Sequence, residues 1–208
     1  MSKSCWLCVL LVLAINAPNA RAAEDKIPVV NEDALNKTWI FPPEIKLKGL
    51  AYPPEYRDHQ EEVCLAIGYV INPDGHASDL SLLKSWSSGE PKRDKDKYWA
   101  AFADATSAEL SQWKFVPAPE AKSPGAVYTV STFVFASPSV LESSKRCAIP
   151  SLTQHIRDLL RNNRTHRRMA SNGVFNRLDL DPTLEARFYN ANGAGTSTKE
   201  APPPPGVK

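Results

Sequence analysis

The chain has 208 residues, 25 Lys+Arg against 23 Asp+Glu, 18 prolines and four cysteines, and 42% of it is hydrophobic. That length suits one domain of ordinary size plus extensions. Its N-terminal apolar run, eleven residues at 5–15 (CWLCVLLVLAI), is short for a membrane span, since a helix needs about 20 such residues to cross the hydrocarbon core.

Taken in chain order, Lys3 gives a positive start, the apolar run follows, and residues 16–22 end on Ala20-Arg21-Ala22. This pattern predicts an export leader, residues 1–22, cleaved after Ala22, with an uncleaved inner-membrane anchor as the alternative. Removing it leaves 23 residues of each charge, but unevenly placed: residues 145–208 carry 11 basic and 5 acidic side chains, so the body is acidic and the tail basic. Cys5 and Cys8 go with the leader. Cys64 and Cys147 remain and are predicted to bond in an oxidising compartment, adding about 4 kcal/mol by the loop-entropy argument. Two buried thiols are the other outcome.

Residues 23–48 show little periodicity and read as an extended lead-in. Pro53 and Pro54 force a turn or a helix start, and residues 55–62 suit one or two helical turns. Residues 63–71 alternate as a strand, with Val63, Leu65, Ile67, Tyr69 and Ile71 on the larger face and Cys64, Ala66, Gly68 and Val70 on the smaller. Asn72-Pro73-Asp74-Gly75 signals a hairpin, and a second strand returns over 76–85. Residues 87–97 form a charged, solvated loop. A helix follows over 98–113, its apolar face made by Trp99, Phe102, Thr106, Leu110 and Trp113 and its end set by Pro117 and Pro119. Residues 126–136 are β-branched and aromatic and read as a third strand.

The body, 49–137, is therefore predicted to be an α+β unit, a three-stranded antiparallel sheet with a helix packed across it. Residues 138–190 form a basic, partly helical appendix in which Leu152, Ile156, Leu159 and Leu160 make an apolar stripe. Residues 191–208 form a Pro-rich tail expected to be disordered.

Several of these pieces, in this order, resemble the C-terminal domain of TonB, the energy transducer of Gram-negative envelopes. They are Tyr52-Pro53-Pro54 before the first strand, the alternation into Asp74-Gly75, and Gln112-Trp113-Lys114-Phe115-Val116-Pro117-Ala118 after the helix, with the apolar final strand behind. The similarity spans about residues 50–136. In it Trp113 and Phe115 read as a packing hinge between helix and sheet rather than a ligand site. The resemblance implies binding by strand addition, in which an extended segment of an outer-membrane receptor or other envelope protein pairs along the final strand. That strand is Val127, Tyr128, Thr129, Val130, Ser131, Thr132, Phe133, Val134 and Phe135. A bare edge this apolar is rare, so cover by the protein's own appendix or by a second copy, as a homodimer, is the alternative.

The chain departs from the family as well. No His precedes His59, the apolar run is short, and the family's Pro-rich spacer is echoed only by Pro202–Pro205. An exported periplasmic binding module is thus expected ahead of an inner-membrane-anchored transducer driving transport through outer-membrane receptors. No enzyme, cofactor or metal site is expected: His59, His76, His155 and His166 lack metal-ligand spacing, and no nucleotide-binding or nucleophile motif is present. Arg157, Arg161, Arg164, Arg167 and Arg168 form a basic cluster that suits an anionic membrane surface or peptidoglycan, or else a helix docked on the acidic body. Binding of an anionic surface through this basic appendix would make the chain a structural envelope protein, a third reading. Nucleic acid is not expected in the periplasm.

Overall fold

The computed structural model describes residues 26–41, 50–58, 61–89, 92–121, 123–136, 139–161 and 173–183. The predicted leader, the Pro-rich tail, His59, His166, Arg164, Arg167 and Arg168 lie outside the described residues. In chain order the elements are β1 (Ile27–Pro28), a 3-10 helix (Glu32–Lys37), β2 (Trp39–Ile40), a 3-10 turn (Pro54–Tyr56), β3 (Val63–Ile71) and β4 (Ala77–Ser87). Then come α1 (Lys95–Leu110), β5 (Val116–Pro117), β6 (Val127–Phe135), α2 (Val140–Cys147), α3 (Leu152–Arg161), α4 (Val174–Arg177) and β7 (Leu178–Asp179).

The centre is an antiparallel sheet of order β4-β3-β6, an α+β arrangement as expected. The two strands of the hairpin are joined at Gly75, whose φ of +85° is the left-handed conformation that glycine adopts without steric cost. β3 pairs with β6 along its whole length in unbroken register, from Val63 opposite Phe135 to Ile71 opposite Val127.

The alternation along β3 divides the interior into two halves. Its larger residues meet Tyr98, Phe102 and Leu110 of α1, together with Phe115, Phe133 and Phe135. Fully burying side chains of this size contributes about 1.5–3 kcal/mol each. Tyr98 takes the place on the buried helix face that the spacing had given to Trp99, which is only half-buried. The helix also stops at Leu110, so Trp113 stands beyond it.

The smaller face is covered by the appendix. Cys64, Ala66, Val70, Tyr128 and Val130 pack against Cys147 of α2, Leu152 and Ile156 of α3, and Val174 and Phe175. Gly68 makes the room here: a Cβ on it would lie 2.1 Å from the Tyr128 hydroxyl and 2.8 Å from Leu83 Cδ1. Cys64 and Cys147 are disulfide-bonded, with Cα atoms 6.0 Å apart, which ties the appendix to the central strand. Every residue of β3 is buried as a result.

The described part of the lead-in, residues 26–41, is not a loose extension either. Ile27, Val29, Val30 and Trp39 are all buried. β1 runs parallel to β7, and β2 pairs with β5, Trp39 facing Pro117 and Ile40 facing Val116. Lead-in, body and appendix thus share two continuous cores on either side of one sheet.

Replacing Cys64 and Cys147 together with Ser should reduce the unfolding free energy by about 4 kcal/mol in urea titration. Trp39 is 1% exposed, so Trp39→Ala should remove about 3–5 kcal/mol, and Trp113→Ala, at the half-buried rim, distinctly less. An equal or larger loss for Trp113 would contradict this ranking.

Candidate functional site

The residues after α1 close onto the hairpin. Phe115 N–H donates to Gly75 O at 2.9 Å, and His76 bridges to Lys114. A Cβ on Gly75 would sit 2.2 Å from Phe115 O, so only glycine allows this approach. Trp113 lies edge-on to Phe41 with ring centroids 5.0 Å apart, and near Phe133 at 5.6 Å. Tyr52 stacks its edge on Phe102 at 5.0 Å and Phe135 at 6.1 Å, and donates to Glu61 O at 3.2 Å. Asp74 accepts the His76 N–H at 3.0 Å to hold the turn, while Pro53 precedes the 3-10 turn. Tyr52, Asp74, Gly75, Trp113, Phe115 and Pro117 are packing and turn residues, placed where helix, hairpin and sheet meet.

The sheet has two edge strands. On β4 the ladder breaks twice, between Ala66 and Ile67 and between Gly68 and Val70 of its partner, and Asp79 adopts a φ of +52°. Bulges of this kind re-aim an edge and discourage added strands. The appendix guards the same edge. His155 Nε2 lies 3.1 Å from Leu83 O, Lys84 Nζ donates to Ala148 O at 3.1 Å, and Arg177 pairs with Asp79 at 2.8 Å. The Arg146 guanidinium covers the Trp86 ring at 4.2 Å.

The β6 edge is straight. Its odd-numbered residues are those bonded to β3, so Tyr128, Val130, Thr132 and Val134 turn their backbone groups outward. The appendix is one expected cover for this edge. The lead-in lies there instead. Val29 bridges Tyr128 in parallel, and Val30 N–H donates to Tyr128 O at 2.9 Å. Two outward positions further on, the Thr132 N–H donates to Glu32 Oε1 at 3.0 Å and Thr132 Oγ1 to Glu32 Oε2 at 3.3 Å. Neither Glu32 nor Val29 and Val30 were flagged from sequence; two adjacent valines in an aperiodic stretch carry no strand period, and nothing local marks an acid that acts 100 residues away.

On the inner side of the same strand, Tyr69 and Ser131 are joined hydroxyl to hydroxyl at 2.9 Å. Thr129 is fully buried with no partner for its hydroxyl. The Tyr128 hydroxyl approaches Ser81 without a well-formed hydrogen bond. Burial pushes both phenols, Tyr69 and Tyr128, far up from their ordinary value, so neither ionises near neutrality. The strand's inner side is structural, and its outer edge is the part that can meet another molecule.

The basic cluster is partly consumed. Arg157 donates to Leu180 O, and Arg161 pairs with Asp158 one turn away at 3.4 Å. The apolar stripe of α3 that would face a membrane is inside: Leu152 and Ile156 are completely buried, with Leu159 and Leu160 packed beside them. The helix docks on the smaller face of the sheet, the docked rather than the membrane-facing arrangement of the two expected from its sequence. Among the described residues no three His, Cys, Asp or Glu side chains are grouped to hold a metal ion, and no helix is long and apolar enough to cross a membrane.

No family model and no curated protein matches the chain. Among solved structures it is similar to the solution NMR structure of the Pseudomonas aeruginosa TonB CTD, at 19% identity and a TM-score of 0.34, over 46% of this chain and 85% of that one.

Partial desolvation against β6 raises the Glu32 carboxyl above its ordinary value, the two Thr132 hydrogen bonds pull against it, and Asp33 adds a smaller push upward. A carboxyl raised in the fold contributes stability that is present at low pH and is lost as pH rises through its folded value. Glu32→Gln keeps an acceptor and cannot ionise. It should melt higher than the parent at pH 7, with the difference shrinking as pH falls below the ordinary carboxylate range; no difference at neutral pH would refute the assignment.

Proposed function

We propose that this protein is an exported, periplasmic TonB-like binding module, not an enzyme, released from its leader after Ala22. It joins extended segments of envelope proteins, such as TonB-dependent outer-membrane receptors, to its sheet through the β6 edge. One observation carries the reading: of the two edges, β6 runs without a bulge and already accepts a parallel stretch of backbone at Tyr128. A strand added here gains main-chain hydrogen bonds in sequence-independent fashion, and alternate side chains supply selectivity. The β4 edge, bulged and held by His155, Lys84 and Arg177, is the poorer template. The similarity of the hinge and hairpin residues to those of the TonB C-terminal domain agrees with this use of the final strand.

A photo-crosslinking side chain placed at Val134 tests it in intact cells, with Ser111, an exposed residue past α1, as the control position. Adducts with outer-membrane proteins from position 134 and none from 111 are expected. Equal labelling from both positions, or none from 134, would overturn the β6 reading.

A further inference from the structure

The lead-in covers β6 in two different ways. At Tyr128 the cover is backbone, and it is fixed: Val29 and Val30 are 3% and 1% exposed, and Asn31 is tied to the appendix through Pro150 O at 3.3 Å and Leu152 N–H at 2.8 Å. After Val30 the backbone leaves the edge and winds into the 3-10 helix Glu32–Lys37. Among the described residues, what reaches back from there to the edge is a side chain. The Glu32 carboxylate stands where the carbonyl of an added strand would stand, 3.0 Å from the Thr132 nitrogen, and its second oxygen takes the Thr132 hydroxyl.

Resting on the β6 reading above, we propose that Glu32 is an internal stand-in for a partner's backbone carbonyl. An extended segment of another envelope protein joins β6 over residues 130–134 by displacing this one side chain, while the lead-in from Lys26 to Asn31 stays in place. A carboxylate swings aside by rotation about its own side-chain bonds, which costs far less than withdrawing buried valines. It also accepts without donating, whereas a strand both accepts from Thr132 N–H and donates to the outward carbonyls of the same edge. The incoming segment therefore makes more bonds than the side chain it replaces. Continuity with the parallel stretch at Tyr128 argues for a strand as the occupant, and the guarded β4 edge leaves no equivalent place for one among the described residues.

The test uses the full chain, labelled for amide NMR, and an uncharged extended peptide, acetyl-Ser-Val-Thr-Val-Thr-Val-Ser-amide, compared across the parent protein, Glu32→Ala and Glu32→Gln. Melting curves first establish that each variant is folded. Loss of an occupant held by charge-assisted hydrogen bonds should tighten peptide binding to Glu32→Ala by about tenfold. Shifts should be confined to residues 130–135, and the Thr132 amide should exchange faster before peptide is added. Glu32→Gln, which keeps an acceptor oxygen, should bind no tighter than the parent. Equal binding at β6 by parent and Glu32→Ala would overturn the stand-in role while leaving the strand-addition reading intact. Glu32→Gln behaving like Glu32→Ala would equally overturn a role based on occupancy. Absence of shifts along β6 in all three proteins would overturn both.

Discussion

Everything else in this molecule is arranged around the enclosure of β3. A strand with all nine residues buried must satisfy its backbone through neighbours on both sides and must find apolar cover on both faces. β4 and β6 supply the first. The second needs two separate layers, because the residues on its two faces differ in size. Large side chains at alternate positions accept the bulky face of α1. Cys64, Ala66 and Gly68 let the appendix and Tyr128 come close. The disulfide joins the middle of the sheet to a helix 83 residues later in the chain, fixing the layer that local sequence would hold least well.

This explains which parts were readable in advance. β3, the hairpin, α1 and β6 carry strong local period, and they lie within two or three residues of where the pattern puts them. The α+β class followed from their order. The burial of the lead-in is not legible locally, because its buried residues make contacts distant in sequence. Trp39 meets Pro117, Val29 meets Tyr128, and Asn31 meets Pro150 and Leu152. A short strand of two residues has no period to detect. α3 showed its apolar stripe plainly, but amphipathicity alone does not say whether the stripe meets a membrane or a sheet. The Trp-Lys-Phe hinge was legible as packing, and its partner was not: that Phe115 requires a glycine at position 75 is visible only once both are placed.

The three-stranded sheet leaves two edges, and the chain treats them differently. β4 loses its regularity at two bulges and is pinned by side chains from the appendix, so its backbone no longer offers a repeating template. β6 keeps its regularity and, among the described residues, is covered in segments, first by buried backbone and then by one carboxylate. An edge closed wholly by backbone would be permanently shut, and one left bare would invite association between copies. A carboxylate on the amide of Thr132 closes the edge with a single rotatable side chain, held by two hydrogen bonds. That arrangement keeps the outward amide satisfied when the protein is alone and leaves it accessible to a strand that can offer more bonds than a side chain can.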